Sequence, residues 1–218
     1  MTRGVFRNII FDLDGTLIDS FPGILESLGH AVAQVNPSLD LTDLKTHIGP
    51  PLPEMLSRMW PQHDEEIRKK VLYEFRSDYN NRGFLFSVAY PGIPEALHQF
   101  QALGIALFVL TNKPKAPTRR ILAHLGLEFH FREILSPDSI QPPLSSKSEG
   151  ALLLAKKHSL IASETLLVGD SPDDLKAARA VGFAFMEAGY GYGQFDEIVT
   201  GKEWLRLKSS TDLAKVMD

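Results

Sequence analysis

The sequence predicts an α/β fold, a doubly wound parallel sheet that carries an inserted all-helical cap domain. Short apolar runs rich in Ile, Val, Leu and Phe recur along the chain, and the clearest of them end in polar residues, as buried parallel strands do. Amphipathic helical patterns lie between the runs, so strand and helix alternate. Residues 20–87 interrupt the alternation, because this stretch has helical patterns and no convincing strand.

The apolar runs define the strands of the predicted sheet. The clearest ones lead directly into Asp12, into Thr111-Asn112 and into Asp170. Runs of this length and composition are typical of strands buried on both faces. The predicted strands are Val5–Phe11, Ile105–Leu110, Leu166–Gly169 and two shorter candidates, Arg132–Ser136 and Phe183–Met186.

The helices of the predicted core follow from apolar residues at helical spacing and from their end signals. Gly104 is a typical residue after a helix C-terminus, and Ser171-Pro172 is a typical helix N-terminus. The Ser and Pro content of Ser136–Ser148 predicts a loop. The predicted core helices are Pro91–Leu103, Ala116–Leu125, Gly150–His158 and Ser171–Val181.

The interrupting stretch predicts a helical cap of residues 20–87, which leaves residues 1–19 and 88–218 as the α/β core. Phe21–Val35 and Asp64–Asn81 each carry apolar residues on one side of a helix. Gly49-Pro50-Pro51 lies between them and predicts a loop that faces the core. We expect the cap to hinge near Ser20–Gly23 and near Phe86–Gly92.

Two carboxylates, Asp12 and Asp14, follow the first predicted strand in the run Asp12-Leu13-Asp14-Gly15-Thr16. Alternate residues of an extended chain share a face, so both can reach one pocket at the carboxyl end of the sheet, where open α/β sheets bind ligands. Gly15 allows the backbone to turn and to approach a phosphate closely. A bare Asp-x-Asp is also typical of a turn, but the full five-residue pattern is much rarer by chance.

The ends of the other strands supply further polar groups. Thr111-Asn112 offers a hydroxyl and an amide to phosphate oxygens, and is also an ordinary strand-to-loop sequence. Asp170 and Asp173-Asp174 offer carboxylates, which equally suit the N-terminus of a helix. Lys147 suits a phosphate or a pair of carboxylates, although a solvated surface lysine is the commoner case. A doubly wound sheet brings such strand ends together, and hard oxygen ligands suit Mg²⁺.

The composition excludes several classes of function. The chain has no cysteine, which removes disulfides, thiolate metal sites and Cys nucleophiles. Its formal net charge of −4 does not favour nucleic acid or anionic membrane as a partner. No stretch approaches the ~20 apolar residues that cross a bilayer, and the first apolar run is too short for a signal peptide. We expect a soluble cytoplasmic protein, monomeric or homodimeric.

Taken in order, these motifs resemble those of the haloacid dehalogenase superfamily of phosphohydrolases. The resemblance covers essentially the whole chain, and the helical insert resembles that superfamily's C1-type cap. Tyr90–Ile93 and Gly189–Gly193 resemble the phosphoglycolate phosphatase-like branch. The first to fourth family motifs match Asp12–Thr16, Thr111, Lys147 and Gly169–Asp174.

The resemblance implies a Mg²⁺-dependent phosphatase that acts on a small phosphorylated metabolite. Asp12 would attack phosphorus and form an aspartyl-phosphate. Asp14 would protonate the leaving oxygen and then take a proton from the hydrolytic water. The catalytic residues that the resemblance implies are Asp12, Asp14, Thr111 and Lys147.

The resemblance also implies the binding groups. The Asp12 carboxylate, the Asp14 backbone carbonyl and Asp170 would hold Mg²⁺, and Asp173 and Asp174 would support that site through hydrogen bonds. The groups implied for the substrate phosphate are Gly15, Thr111, Asn112 and Lys147. The chain departs from the family at one point, because Ser148 follows Lys147 where the branch usually has Pro. Lys113 and Lys115 are therefore further candidates for the role of Lys147.

Other functions on the same fold stay open. A phosphomutase shares Asp12 and Asp14, although Thr16 favours hydrolysis, and a catalytically silent binding or regulatory protein is a further alternative. Asp14 disfavours a dehalogenase, which needs no acid at that position. A phosphonatase needs a cap lysine, and the cap lysines lie in charged helical contexts. The substrate is also open among phosphoglycolate, nucleotides, sugar phosphates and pyrophosphate, with His47, Arg58 and Arg76 as candidate specificity residues.

Overall fold

A parallel six-stranded sheet forms the centre of the computed structural model, which describes residues 6–193, 195 and 205–217. The strand order is β5-β4-β1-β6-β7-β8, and β2 and β3 form a separate antiparallel pair. The α/β class predicted from the sequence is confirmed. The strands are β1 Asn8–Phe11, β2 Ile18–Asp19, β3 Val88–Ala89, β4 Ala106–Leu110, β5 Glu133–Leu135, β6 Thr165–Gly169, β7 Ala184–Ala188 and β8 Leu205–Leu207.

Helices cover both faces of the sheet. The helices are α1 Phe21–Val35, α2 Leu52–Met59, α3 Glu65–Asn81, α4 Ile93–Ala102, α5 Lys115–His124, α6 Lys147–His158 and α7 Pro172–Val181. Helices α4 and α5 contribute to one hydrophobic cluster and α6 and α7 to the other. No helix among the described residues is long and apolar enough to cross a bilayer.

The central strand β1 explains why the apolar runs are continuous. Ile9 and Phe11 belong to one cluster and Ile10 to the other, because successive side chains of a strand point to opposite faces. All three are fully buried. Phe11 lies opposite both Val109 of β4 and Val168 of β6, so the strand ends that carry polar residues are neighbours.

Helices α1, α2 and α3 lie between β2 and β3. Ser27 of α1 donates a hydrogen bond to Asp78 of α3 at 2.7 Å, and the buried Trp60 donates its indole N–H to the Asp40 carbonyl at 2.8 Å. In the β2–β3 pair, Ile18 lies opposite Ala89. The two segments that lead into and out of these helices therefore run side by side.

Several predicted boundaries need correction. The predicted loop Ser136–Ser148 is wrong at its end, because α6 begins at Lys147, where the Ser146 hydroxyl accepts the Glu149 N–H at 3.2 Å. Helix α2 was missed because its prolines suggested a loop, although Pro is compatible with the first turn of a helix. Strands β2 and β3 have only two residues each and were not predicted, and neither was β8, whose three residues include an arginine between two leucines. The other predicted elements agree within one to three residues, and Val5 lies outside the described residues.

Candidate active site

Three adjacent strands deliver polar side chains to one edge of the sheet. Asp12 follows β1, Thr111 follows β4 and Asp170 follows β6. Because β1 pairs with both of the other strands, these residues lie at the carboxyl end of the same three-strand unit. All three are buried. The edge that the sequence predicts as the site therefore carries the predicted residues.

Lys147 connects two of the buried carboxylates. Its ammonium nitrogen lies 2.7 Å from Asp12 Oδ1 and 2.7 Å from Asp174 Oδ1, and its side chain is only 4% exposed. Burial alone would lower the pKa of Lys147, but the two carboxylates outweigh burial and hold that pKa above its ordinary value. Ser148, in place of the usual Pro, does not prevent Lys147 from reaching Asp12.

Asp12, Asp170 and Asp174 form a buried acidic cluster in which one carboxylate oxygen of each lies within 4.8 Å of the others. Burial raises the pKa of Asp12 well above its usual value, although Lys147 opposes this. Burial and the neighbouring Asp174 raise the pKa of Asp170 to about 7. When all three are ionised they carry −3 against the +1 of Lys147. The donor set and the remaining charge of −2 fit a hard divalent cation such as Mg²⁺.

The turn after β1 passes directly against Asp170. Gly15 has a φ of +81°, and a Cβ added there would lie 2.2 Å from Asp170 Oδ2. The same oxygen accepts the backbone N–H groups of Tyr192 at 2.7 Å and Gly193 at 3.0 Å. Gly15 is therefore needed for space and backbone conformation. Its contact with a substrate phosphate stays a prediction.

Asp14 has a lysine partner of its own. Lys113 Nζ lies 2.9 Å from Asp14 Oδ1 and 3.1 Å from Oδ2, and the two side chains are 8% and 16% exposed. The sequence offered Lys113 only as a substitute for Lys147, so this pairing was missed. Lys115 is exposed on the first turn of α5 and is not among the residues that line the pocket described below.

Thr111 and Asn112 lie beside these lysines. The Thr111 hydroxyl accepts the Lys113 backbone N–H at 3.1 Å, which orders the turn after β4. The Asn112 amide lies 3.5 Å from the Gly49 carbonyl, so it joins the core to the loop that precedes α2. Both residues line the pocket, and their role in holding phosphoryl oxygens stays a prediction.

The two aspartates at the start of α7 have different environments. Asp174 is buried, and its Oδ2 accepts the Ser171 N–H at 3.0 Å and the Ser171 hydroxyl at 2.6 Å. Asp174 thus caps the helix and also pairs with Lys147, and its support of a metal site stays a prediction. Asp173 instead has a side chain 47% exposed that pairs with Lys176 at 3.1 Å. Asp173 is therefore not part of the buried acidic cluster, and its support of a metal site stays a prediction.

A pocket of about 640 Å³ opens above the strand ends, between the sheet and the inserted helices. The Gly49–Pro51 loop and Arg76 line this pocket. Arg58 is exposed and pairs with Glu54, and neither Arg58 nor His47 lines the pocket. Helix α3 adds two stacked rings that the sequence did not single out, Phe75 and Tyr79, with centroids 5.1 Å apart. The core residues at the base of the pocket include Asp12, Asp14, Thr111, Asn112, Lys113 and Lys147.

The chain is similar to several known proteins along most of its length. A family model described as haloacid dehalogenase-like hydrolase matches residues 9–188. Tyrosine-protein kinase PtkA of Mycobacterium tuberculosis is 35% identical over 191 residues, which are 87% of this chain and 64% of PtkA. The chain thus spans less than two thirds of that relative. A 5'-nucleotidase of Pseudomonas aeruginosa is 32% identical over 88% of this chain and 87% of its own length.

A solved structure shows the same architecture over the full length. A predicted phosphoglycolate phosphatase from Haemophilus somnus superposes with a TM-score of 0.85 at 29% identity, and the match covers 100% of both chains. Curated phosphoglycolate phosphatases also match the chain, which confirms the branch that the motifs indicate. The chain belongs to the haloacid dehalogenase-like hydrolases, in the phosphoglycolate phosphatase-like branch.

Proposed function

We propose that this hydrolase is a Mg²⁺-dependent phosphatase that cleaves small phosphomonoesters through an aspartyl-phosphate on Asp12. One observation carries the proposal. The Asp12 carboxylate is buried at the base of the pocket with one oxygen 2.7 Å from Lys147, and Asp14 faces the same pocket. A fixed nucleophile with a neighbouring acid and base is the arrangement that two-step phosphoryl transfer requires.

In the first step, a carboxylate oxygen of Asp12 attacks phosphorus, and the bond from phosphorus to the leaving oxygen breaks. Asp14 gives its proton to that oxygen, so the alcohol leaves neutral. Lys147 holds the Asp12 carboxylate in a fixed direction, which removes much of the cost of orienting the nucleophile. Thr111 and Asn112 supply donors to the equatorial phosphoryl oxygens.

In the second step, water attacks the phosphorus of the aspartyl-phosphate. Asp14, now a carboxylate, takes a proton from that water, and the bond from Asp12 to phosphorus breaks to release inorganic phosphate. The protons balance over the cycle, because the one that Asp14 gives to the alcohol is replaced by one from water. The helices over the pocket would limit access of bulk water during transfer.

Mg²⁺ would be held by Asp12, Asp170 and, as the family resemblance implies, the Asp14 backbone carbonyl, and it would neutralise charge on the transferring phosphoryl group. Asp174 supports this set by fixing Lys147. The charge of −2 left on the buried cluster supports a divalent ion rather than a monovalent one.

The substrate is a small phosphorylated metabolite in this proposal. Phosphoglycolate and nucleoside monophosphates are the first candidates, because relatives named phosphoglycolate phosphatase and 5'-nucleotidase match the chain. The pocket volume of about 640 Å³ lies within the range of roughly 300–1,000 Å³ for ligand sites. That volume admits an alcohol portion larger than glycolate, and Arg76 at its edge can meet an anionic or polar group.

The proposal is tested by release of p-nitrophenol from p-nitrophenyl phosphate with Mg²⁺ and with EDTA, for wild type and Asp12→Asn. A panel of phosphoglycolate, AMP, glucose 6-phosphate and pyrophosphate follows, with phosphate release as the readout. We expect Mg²⁺-dependent turnover that Asp12→Asn abolishes. Wild type that hydrolyses no member of the panel contradicts the proposal, and a stable aspartyl-phosphate in that protein would favour the mutase alternative.

A further inference from the structure

The two central aspartates, Asp12 and Asp14, each pair with a different buried lysine. Lys147 pairs with Asp12 and Asp174, whereas Lys113 pairs with Asp14 through both carboxylate oxygens. The family motifs account for Lys147. They leave Lys113 without a role, although its side chain is nearly as buried as that of Lys147.

The position of Lys113 links three parts of the molecule. Its backbone N–H is held by the Thr111 hydroxyl in the turn after β4, and its ammonium lies at the pocket against Asp14. The same ammonium lies 4.9 Å from the ring centroid of Tyr79, on helix α3 of the inserted segment. The charge is thus held by the core turn on one side and by an aromatic face on the other.

The buried ion pair between Lys113 and Asp14 is not explained by stability alone. Removing two charges from water carries a desolvation cost that their attraction often does not exceed. A buried pair that also lines a ligand pocket is therefore a candidate for a functional role.

We propose that Lys113 is a positioning residue, which directs the Asp14 carboxyl group toward the leaving oxygen and the hydrolytic water. An ammonium has several donors, so Lys113 can hold one oxygen of Asp14 in both protonation states. When Asp14 is protonated, its O–H stays free to point at the leaving oxygen, and the proton passes to that oxygen as the phosphorus–oxygen bond breaks. This inference rests on the proposed function.

The test compares two substrates with different leaving groups. p-Nitrophenolate leaves without a proton, whereas the alkoxide of glycerol 2-phosphate needs one. If Lys113 acts through Asp14, Lys113→Met lowers kcat/KM for glycerol 2-phosphate by roughly 10- to 100-fold, part of the ~10²–10⁴-fold of general acid catalysis. The comparison uses kcat/KM because it reports the steps up to departure of the leaving group, whereas kcat also contains hydrolysis of the aspartyl-phosphate, which both substrates share. The loss for p-nitrophenyl phosphate is expected to be several-fold smaller. Lys113→Arg keeps the charge and is expected to restore part of the loss.

Two controls separate positioning from a structural role. Lys115→Met removes an exposed lysine two residues away and is expected to keep wild-type kinetics with both substrates. In an Asp14→Asn background, Lys113→Met is expected to add no further preference for the aryl substrate, since the group that it positions is gone.

Three outcomes contradict the proposals, and they differ from one another. An equal loss of kcat/KM for the two substrates in Lys113→Met overturns the positioning role while the phosphatase function stands. A substrate-selective loss that persists in the Asp14→Asn background overturns it as well. Wild type that turns over neither substrate overturns the proposed function and this inference with it.

Discussion

The Tyr192 hydroxyl accepts the backbone N–H of Ser20 at 2.8 Å, at the point where the inserted helices begin. It also accepts the Phe21 N–H at 3.0 Å and lies 2.5 Å from Asp19 Oδ1, to which it donates. The backbone N–H of Tyr192 goes to Asp170 Oδ2. One residue therefore ties the first linker of the helical insert to the acidic cluster.

Tyr192→Phe is expected to lower the free energy of unfolding by about 1–3 kcal/mol, because it leaves the buried Ser20 N–H without that partner. Urea denaturation measures the change. Tyr190→Phe is the matched control, because the Tyr190 hydroxyl makes a single hydrogen bond within the part of the chain that the structure describes, to the Thr16 carbonyl at 2.9 Å, and its loss should cost less. Equal stability of Tyr192→Phe and wild type would contradict the bracing role of this hydroxyl.

Asp12→Asn is expected to reduce kcat more than about 10³-fold while the protein stays folded, since the amide keeps the shape and removes the nucleophile. Steady-state hydrolysis of p-nitrophenyl phosphate measures the first effect, and circular dichroism the second. A folded Asp12→Asn protein with substantial turnover would rule out the aspartyl-phosphate route.

Mg²⁺ is expected to raise the melting temperature more at pH 8 than at pH 6. The pKa of Asp170 is about 7, above its usual value of 3.8, so the folded protein without metal keeps a proton that the unfolded chain has lost. That contribution to stability is lost as pH rises through about 7. A bound divalent cation offsets the negative charge of the ionised, buried Asp170. The ion therefore binds more tightly at the higher pH, and tighter binding to the folded state raises the melting temperature further.

Thermal denaturation with Mg²⁺ and with EDTA at both pH values measures this effect. Asp170→Asn is the control, because it removes both the titrating group and a metal ligand candidate. In that variant, Mg²⁺ should raise the melting temperature by less than in wild type. The rise should also differ less between pH 6 and pH 8. An unchanged Mg²⁺ shift in Asp170→Asn would place the ion elsewhere.

Gly15→Ala is expected to weaken the site more than the fold. The left-handed conformation at Gly15 costs a non-Gly residue roughly 1–2 kcal/mol, and the added Cβ would displace Asp170 Oδ2, only 2.2 Å away. We therefore expect a higher Mg²⁺ concentration for half-maximal activity. Gly29→Ala is the control, since a Cβ there meets nothing within 4 Å. A Gly15→Ala protein with wild-type Mg²⁺ dependence would contradict the displacement.

Local sequence patterns predicted the central strands and several of the polar residues at their ends. The runs that became β1, β4 and β6 are buried on both faces, so their central residues are apolar, and a polar residue marks where each leaves the sheet. Asp12, Thr111 and Asp170 were found for that reason. Helices α1 and α3 of the insert were predicted because each buries one face, whereas α2 was not.

Only the tertiary structure decided which lysine pairs with which aspartate. Lys113 and Asp14 are separated by 99 positions in the sequence, and Lys147 reaches Asp174 across 27. No local pattern distinguishes a buried lysine from a solvated one, because burial depends on what packs above it. The same holds for Asp173 and Asp174, which are adjacent in the chain but differ in exposure through the direction that α7 gives each side chain. Sequence alone determined the central strands β1, β4 and β6, the points where they end and the carboxylates there, whereas packing decided which partners those carboxylates have.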